Sequence, residues 1–346
     1  MTIEASQTRP QERAQAQPWR AILAAYQTPN LPRSLVEIAL SAAPLALLWI
    51  GGWIAAAHGL WWLALLLAIP AAGFLVRLFM IQHDCGHHAL FKSAWVNDWV
   101  GRAIGVLTLT PYDHWRQEHA IHHATSGDLD RRGMGAVHVL TVEEYRALSF
   151  WGRLRYQLYR HPLVLFGLGP AFVFILQYRL PVGLMRAGWR PWVSAIGTNI
   201  GVAMLVVGVV VLAGWKGLLL VHLPTLMIAA SIGVWLFYVQ HQFEHTYWAR
   251  HENWQSTEAA LHGSSYYDLP APLHWLTGNI GVHHVHHINS RIPFYRLPNV
   301  LRDNPELKTI SLLSVGESIR TVSLALWDEA SQRMISFGQF KQRERA

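Results

Sequence analysis

"WVSAIGTNIGVAMLVVGVVVLAG" at residues 192–214, followed almost at once by "GLLLVHLPTLMIAASIGVWLFYV" at 217–239, is the stretch that decides the fold class. From Pro191 to Phe243 the only Lys, Arg, Asp or Glu is Lys216, in the turn between the two runs. Each run is long enough, at about 1.5 Å of helical rise per residue, to cross a hydrocarbon layer about 30 Å thick. A matching pair stands upstream: "LVEIALSAAPLALLWIGGWIAAA" at 35–57, the turn "HGLW", then "WLALLLAIPAAGFLVRLFMI" ending at Ile81. Four such runs in two tight pairs predict an all-α integral membrane protein with four transmembrane helices in two hairpins.

Composition agrees. Only 14% of the 346 residues are charged, against about 25% in soluble domains. The net charge of +7 suits a membrane surface rather than nucleic acid in so apolar a chain. One cysteine, Cys85, excludes an intrachain disulfide. No Ser/Gly/Pro-rich linker divides the chain, so residues 1–346 read as a single unit. Its parts are a polar amino-terminal segment (1–34), the first hairpin (35–81), a long segment (82–190), the second hairpin (192–239) and a carboxy-terminal segment (240–346). The first residues lack the apolar core of a cleavable signal peptide, so the first span is expected to remain.

Loop charges set the orientation. The "HGLW" turn carries no Lys or Arg and the "GWKG" turn one; four lie in the amino-terminal segment, thirteen from Arg77 to Arg190 and ten after Gln240. Both termini and the central segment are therefore expected in the cytoplasm, as a helical cap on a multi-pass membrane protein. Arg77, near a span end, is expected to reach toward the interface. "LVLFGLGPAFVFIL" at 163–176 is too short to cross and reads as interfacial or re-entrant. The carboxy-terminal "LLSVGESIRTVSLALWDEASQRM" at 312–334 has helical periodicity and reads as an amphipathic helix.

Histidine placement carries the chemistry. Twelve of the twenty histidines fall in four short clusters, all on the expected cytoplasmic side: "HDCGHH" from His83, "HAIHH" from His119, "QHQFEH" around His241 and His245, and "HHVHH" from His283. His83 and His87 are four apart; His119, His122 and His123, and likewise His283, His286 and His287, are spaced i, i+3, i+4 and share a helix face. Helices that aim such residues at a common centre build metal sites in bundles. With at least eight candidate ligands and about four needed per ion, two metals are the natural count. Imidazole without thiolate leaves iron, copper and zinc open. The scattered histidines, among them His58, His114 and His222, read as ordinary packed or surface residues.

"HDCGH", "HAIHH" and "HHVHH" stand in the order and approximate separation of the three histidine boxes of the membrane fatty acid desaturase family, which the chain resembles. "WRQEHAIHHATSGDLD", "FYVQHQFEHTYW", "GSSYYDLPAPLHWLTGNIGVHHVHH" and "RIPFYRLP" are similar to bacterial acyl-lipid desaturases of the Δ12, or omega-6, branch. The resemblance runs from the first span to about residue 300. It implies a non-haem di-iron enzyme that uses dioxygen to place a cis double bond in a long acyl chain. The ligands it implies are His83, His87, His119, His122, His123, His283, His286 and His287, with His241 as a further one from the helix before the last box. His88 and His284 are adjacent extras, and His245 departs from the acidic residue the family pattern leads one to expect. No separate acid or base residue is implied.

The chemistry fits these parts. Removing hydrogen from an unactivated methylene needs strongly oxidising metal–oxygen chemistry, which iron with dioxygen supplies and zinc does not. The protein positions the chain and excludes water. Metal-bound histidines pass their second N–H to a carboxylate or carbonyl, for which Asp84, Glu118, Asp128 and Glu244 are the nearest carboxylates. Reducing dioxygen to two waters takes four electrons and one C=C supplies two, so two come from outside. No flavin fingerprint, cysteine cluster or haem domain is visible in the sequence, which calls for a separate ferredoxin or cytochrome with its reductase. Arg131, Arg132, Arg153 and Arg155 form a basic surface suited to such a donor or to anionic lipid. Trp115, Trp235, Tyr238 and Tyr266 are candidates for lining an acyl channel, and Cys85 reads as a small buried side chain. A hydroxylase or carotenoid-modifying oxygenase is the neighbouring alternative. A metal transporter or sensor would want polar residues inside the spans, where only His222 and Asn199 stand out.

Overall fold

The computed structural model describes residues 19–345 and is mostly helical. Helix α1 (Leu31–Ala57) opens with the Asn30 side chain accepting the Arg33 N–H and with Pro32 in its first turn, a standard start. A turn at His58–Leu60 reverses the chain into α2 (Trp61–Gly86), which packs along α1. Two shorter helices follow, α3 (Ala94–Leu107), capped by Ser93, and α4 (Tyr112–Thr125). Helix α5 (Phe150–Tyr159) is capped by Ser149. It meets the 164–179 segment, which contains two π-helical stretches, at an angle of 59°.

The second apolar pair occupies residues 190–241, as α6 (Arg190–Gly217), a π-turn (Leu218–His222) and α7 (Leu223–His241). A straight helix of these 52 residues would be about 78 Å long. Instead both ends meet α4. Ser194 Oγ accepts the N–H groups of Asp113 and His114 at 3.1 and 3.3 Å, and His241 lies 3.1 Å from His122. The reversal is at Gly214, whose φ of 65° and ψ of −179° break the helix. The 163–176 stretch likewise begins and ends near the level of the histidines. Arg160, just before it, donates to the Gln242 side chain, and Tyr178, just after it, packs edge-on against His114.

Helix α1, helix α2 and the 190–241 pair are long and apolar enough to cross a membrane. Their environments differ. In α2, 61% of the most apolar stretch is buried, against 11% in residues 190–241, where Val193, Ile196, Ile200, Met204, Val207 and Val211 are exposed. The principal core gathers around α2 and α7, with Leu75, Leu78, Ile81, Leu236 and Val239.

Three expectations need correction. Arg77 does not reach outward: it is 1% exposed, forms an ion pair with the equally buried Glu37 of α1, and stacks 4.0 Å over the Trp275 ring. A partner of opposite charge inside the protein outcompetes the interface. The fold is not purely helical, because five short strands are present: β1 (Leu140–Thr141), β2 (Tyr266–Asp268), β3 (Leu312–Ser314), β4 (Leu324–Asp328) and β5 (Arg333–Ser336). And residues 312–334 are no single amphipathic helix. Ser314 and Glu317 form a capping box that starts a helix lasting only to Thr321. The chain then becomes an antiparallel β4–β5 pair, turned where the Asp328 side chain accepts the Ala330 N–H and the Ser331 hydroxyl. β1 adds parallel to β4, and Leu326, Trp327, Met334 and Ile335 are all but fully buried. That pairing partner lies nearly two hundred residues away, where helical periodicity cannot register it.

Candidate metal centre

Helix α2 carries His83 at its last turn, and His87 follows just past its end at Gly86. Helix α4 presents His119, His122 and His123, α7 ends in His241, and a short helix α8 (His283–Ile288) holds the last cluster. Backbone and amide bonds fix these elements to one another. Gln240 Nε2 donates to the Ile280 carbonyl at 3.1 Å, and the Ser265 N–H donates to the Gln240 carbonyl at 2.9 Å. Together they tie the end of α7 to the chain leading into α8.

The histidines gather into two groups, each with ligand atoms within 4.8 Å of one another. One is His83, His87, His119, His123 and His286; the other is His122, His241, His283 and His287. The clusters therefore divide. His122 joins the second group while its neighbours in "HAIHH" join the first, and in "HHVHH" His286 parts from His283 and His287. A 100° step per residue turns adjacent helical side chains apart, so one helix can serve two centres. All nine histidines named from the sequence are in these groups. His88, His284 and His245 are not. His88 Nε2 bonds to Asp98 at 2.9 Å, His284 Nε2 donates to the Leu307 carbonyl at 2.9 Å, and His245 is exposed.

The geometry suits metal ions. Nε2 atoms approach as near neighbours: His87–His119 at 3.0 Å, His119–His123 and His123–His286 at 3.1 Å, His241–His283 at 3.0 Å, His122–His241 and His283–His287 at 3.1 Å. Two imidazoles bound to one ion at about 2.1 Å and at right angles sit about 3.0 Å apart. The protonation state also suits. His241 Nδ1 lies 3.0 Å from the Gly263 carbonyl; a carbonyl only accepts, so Nδ1 carries the proton and Nε2 keeps its lone pair. Burial holds His87, His119, His122, His123, His283, His286 and His287 well below the usual imidazole range, and neighbouring imidazoles reinforce it. Neutral imidazole is the form that binds metal.

The carboxylates fare less uniformly. Asp84 Oδ1 is 3.5 Å from His83 Nδ1, while its Oδ2 accepts the Phe294 N–H at 2.7 Å. Glu118 faces His114 at 3.5 Å, and burial pushes its carboxyl up to about 7. Asp128 and Glu244 do not touch the groups. Asp128 bonds to His251 and Arg131, and Glu244 pairs with Arg333. The basic surface is partly consumed as well, since Arg131 pairs with Asp128 and Arg132 with Glu144. Sequence reasoning missed the Gly263 carbonyl, a backbone group that no side-chain pattern announces.

A cavity of about 630 Å³ opens beside the histidines, bordered by His83, His119 and His283 and otherwise largely apolar. Of the four aromatics expected to line a channel, Trp115 does, stacked 4.8 Å from His119. The others are placed elsewhere: Trp235 and Tyr238 pack on Phe166, and Tyr266 stacks on His274. Cys85 is fully buried.

Comparison with known proteins agrees with this arrangement. Residues 59–309 match the family described as "Fatty acid desaturase". A "Fatty acid desaturase" of Bacillus subtilis is 41% identical over 92% of this chain and 90% of its own length. An "sn-1 oleoyl-lipid 12-desaturase" of Anabaena variabilis is 27% identical over 68% of this chain and 67% of its own. An "sn-1 acyl-lipid omega-3 desaturase (ferredoxin)" of Synechocystis is 28% identical over 64% and 61%. With two imidazole groups beside an apolar cavity, and a match spanning most of its length, this chain belongs to the fatty acid desaturase family.

Proposed function

We propose that this protein is a membrane acyl-lipid desaturase that introduces a cis double bond into a long acyl chain with dioxygen and two external electrons. The observation that carries the reading is the meeting of nine imidazoles, in groups of five and four, at the end of an apolar cavity large enough for an acyl tail. Pockets that bury small apolar ligands commonly measure about 300–1,000 Å³.

His83, His87, His119, His123 and His286 would hold one iron ion, and His122, His241, His283 and His287 the other. Two iron ions with dioxygen would supply the oxidising power to take one hydrogen from each of two adjacent methylenes, with two water molecules as the reduced product. The chain's own residues do the rest. The Gly263 carbonyl orients the His241 ring, and the Gln240–Ile280 bond holds α8 against α7. Trp115 stacks on His119 and forms part of the wall that excludes water from the reacting methylenes. The two apolar hairpins form four membrane spans. Both termini and the histidine-bearing elements then lie on the cytoplasmic side of a bacterial inner membrane, within reach of a ferredoxin or cytochrome donor. The Δ12, or omega-6, position is our reading from the sequence segments and from the Anabaena relative.

Expression in a bacterium that lacks desaturases, followed by fatty acid profiling, tests this. New unsaturated acyl chains that vanish in a His286→Ala variant are expected, and dienoic acids would support the Δ12 position. Hydroxylated chains, or an unchanged profile with a competent donor present, would overturn it.

A further inference from the structure

The cavity beside the histidines has a direction. Along α7 it is lined by Leu226, Ala229, Ala230, Gly233, Val234, Leu236, Phe237 and Gln240, which at about 100° per residue all fall on one side of the helix. The fourteen helical steps from Leu226 to Gln240 make the slot about 21 Å long, a large part of the roughly 30 Å hydrocarbon layer. Its imidazole, carboxyl and amide side chains, His83, His119, His283, Glu118, Gln177 and Gln240, belong to segments that meet at the histidine end. Away from the histidines the walls are apolar: Leu75 and Val76 from α2, Pro170 and Val173 from the 163–176 stretch, Ala229 and Ala230 from α7.

Gly233 stands midway down this face. Some glycines in the apolar helices are demanded by packing, while Gly197 and Gly208, which like Gly233 have open space beside them, do not line the cavity. A Cβ at Gly73 would come within 2.6 Å of Leu276, and one at Gly52 within 2.9 Å of Val221. A Cβ at Gly233 would meet nothing within 4 Å, and its φ is not among the positive ones. Glycine weakens a helix interior, and here neither backbone nor packing requires it. What its missing side chain leaves open is the cavity.

We infer that the acyl chain lies along α7 with its methyl end toward Leu226, and that Gly233 determines how long a tail is accepted. A lipid's polar end could not give up water in the aliphatic arm without cost, which fixes the direction. This rests on the reading of the site as an acyl-chain desaturase.

The test uses the full-length protein in a desaturase-free bacterium fed myristic, palmitic and stearic acids in parallel, with products resolved by chain length. Gly233→Leu puts a branched side chain into the slot without threatening the helix. It is expected to lower the stearoyl-to-myristoyl product ratio about tenfold or more, since a single misfitting methylene in an apolar pocket already costs about that. Gly233→Ala should fall between, and Leu226→Ala, which deepens the arm, should move the ratio the other way. Gly197→Leu, on the exposed face of α6, should leave it where the unmodified protein has it. A Gly233→Leu protein with an unchanged ratio, or one losing all chain lengths equally, overturns the inference while leaving the desaturase reading intact. An unmodified protein that desaturates no chain overturns the desaturase reading itself, and this inference with it.

Discussion

The two apolar hairpins look alike in sequence and live differently. Both are pairs of long apolar runs, and each delivers one histidine from the end of its second helix, His83 from α2 and His241 from α7. Yet α2 is enveloped by protein, while α6 keeps a row of aliphatic side chains exposed. Lipid is as apolar as a protein core, so hydropathy reports that a helix leaves water and says nothing about what replaces it. The first hairpin also hides the ion pair of Glu37 and Arg77, which a helix facing lipid could not carry cheaply.

The largest expected effect separates the two histidine-bearing ends. His83→Ala and His241→Ala should each abolish desaturation, but with different metal contents. Removing His241 leaves three imidazoles in its group, and removing His83 leaves four. Iron per purified chain should therefore fall further in His241→Ala. Equal losses would remove the asymmetry between the groups.

Breaking the buried ion pair comes next. Arg77→Met leaves the buried Glu37 carboxylate with only the exposed Arg33 as a partner and should destabilise the protein by about 3 kcal/mol, the low end for a broken buried pair, read as earlier unfolding in detergent. The double variant Glu37→Leu with Arg77→Met should recover most of that loss. A smaller contrast tests the environments directly. Leu78→Ala, at 2% exposure in α2, should cost about 2–5 kcal/mol. Val207→Ala, at 62% exposure in α6, should stay within about 0.5 kcal/mol. Similar losses at both sites would mean the two helices share one kind of surroundings.

The smallest effect concerns pH, outside both hairpins. Burial alone would raise the Asp128 carboxyl, but bonds from His251, Arg131 and the Asp130 N–H hold it below the usual range. A carboxyl lowered by folding adds stability above its unfolded pKa, about 3.9, and loses it as pH falls through the folded value. Asp128→Asn should cost about 1.5–3 kcal/mol at neutral pH, and the gap to the unmodified protein should close once the pH lies below the lowered folded pKa. A constant gap down to that pH would show that shape, not charge, matters at Asp128.

Much of the architecture was legible because it is local. Apolar runs reveal themselves by length, and eight of the nine grouped histidines by spacing three or four apart; His241 came only from the family resemblance. What the spacing could not show is the division of labour within "HAIHH" and "HHVHH", which depends on where α2 and α7 stand in space. Arg77 was misread because its partner lies forty residues upstream on another helix. The carboxy-terminal strands were misread for the same reason: Leu324 to Asp328 pairs partly with Leu140 and Thr141. The aromatic side chains were the least readable, since Tyr238 fits a channel wall by composition but donates its hydroxyl to the Thr321 carbonyl at 2.7 Å.

That small sheet has a consequence for maturation. β1 directly follows the loop after α4, and its strand neighbour among the described residues, β4, comes late in the chain. Arg160 and Tyr238 also reach the Leu324 carbonyl, and the Met334 N–H donates to the Glu244 carbonyl. During synthesis, then, the hairpins can enter the bilayer early, while the region around the second histidine cluster waits for the tail that clasps it. Ribosome-held chains ending before residue 324 should accordingly be cut by protease near residues 131–141, and chains released at full length should not.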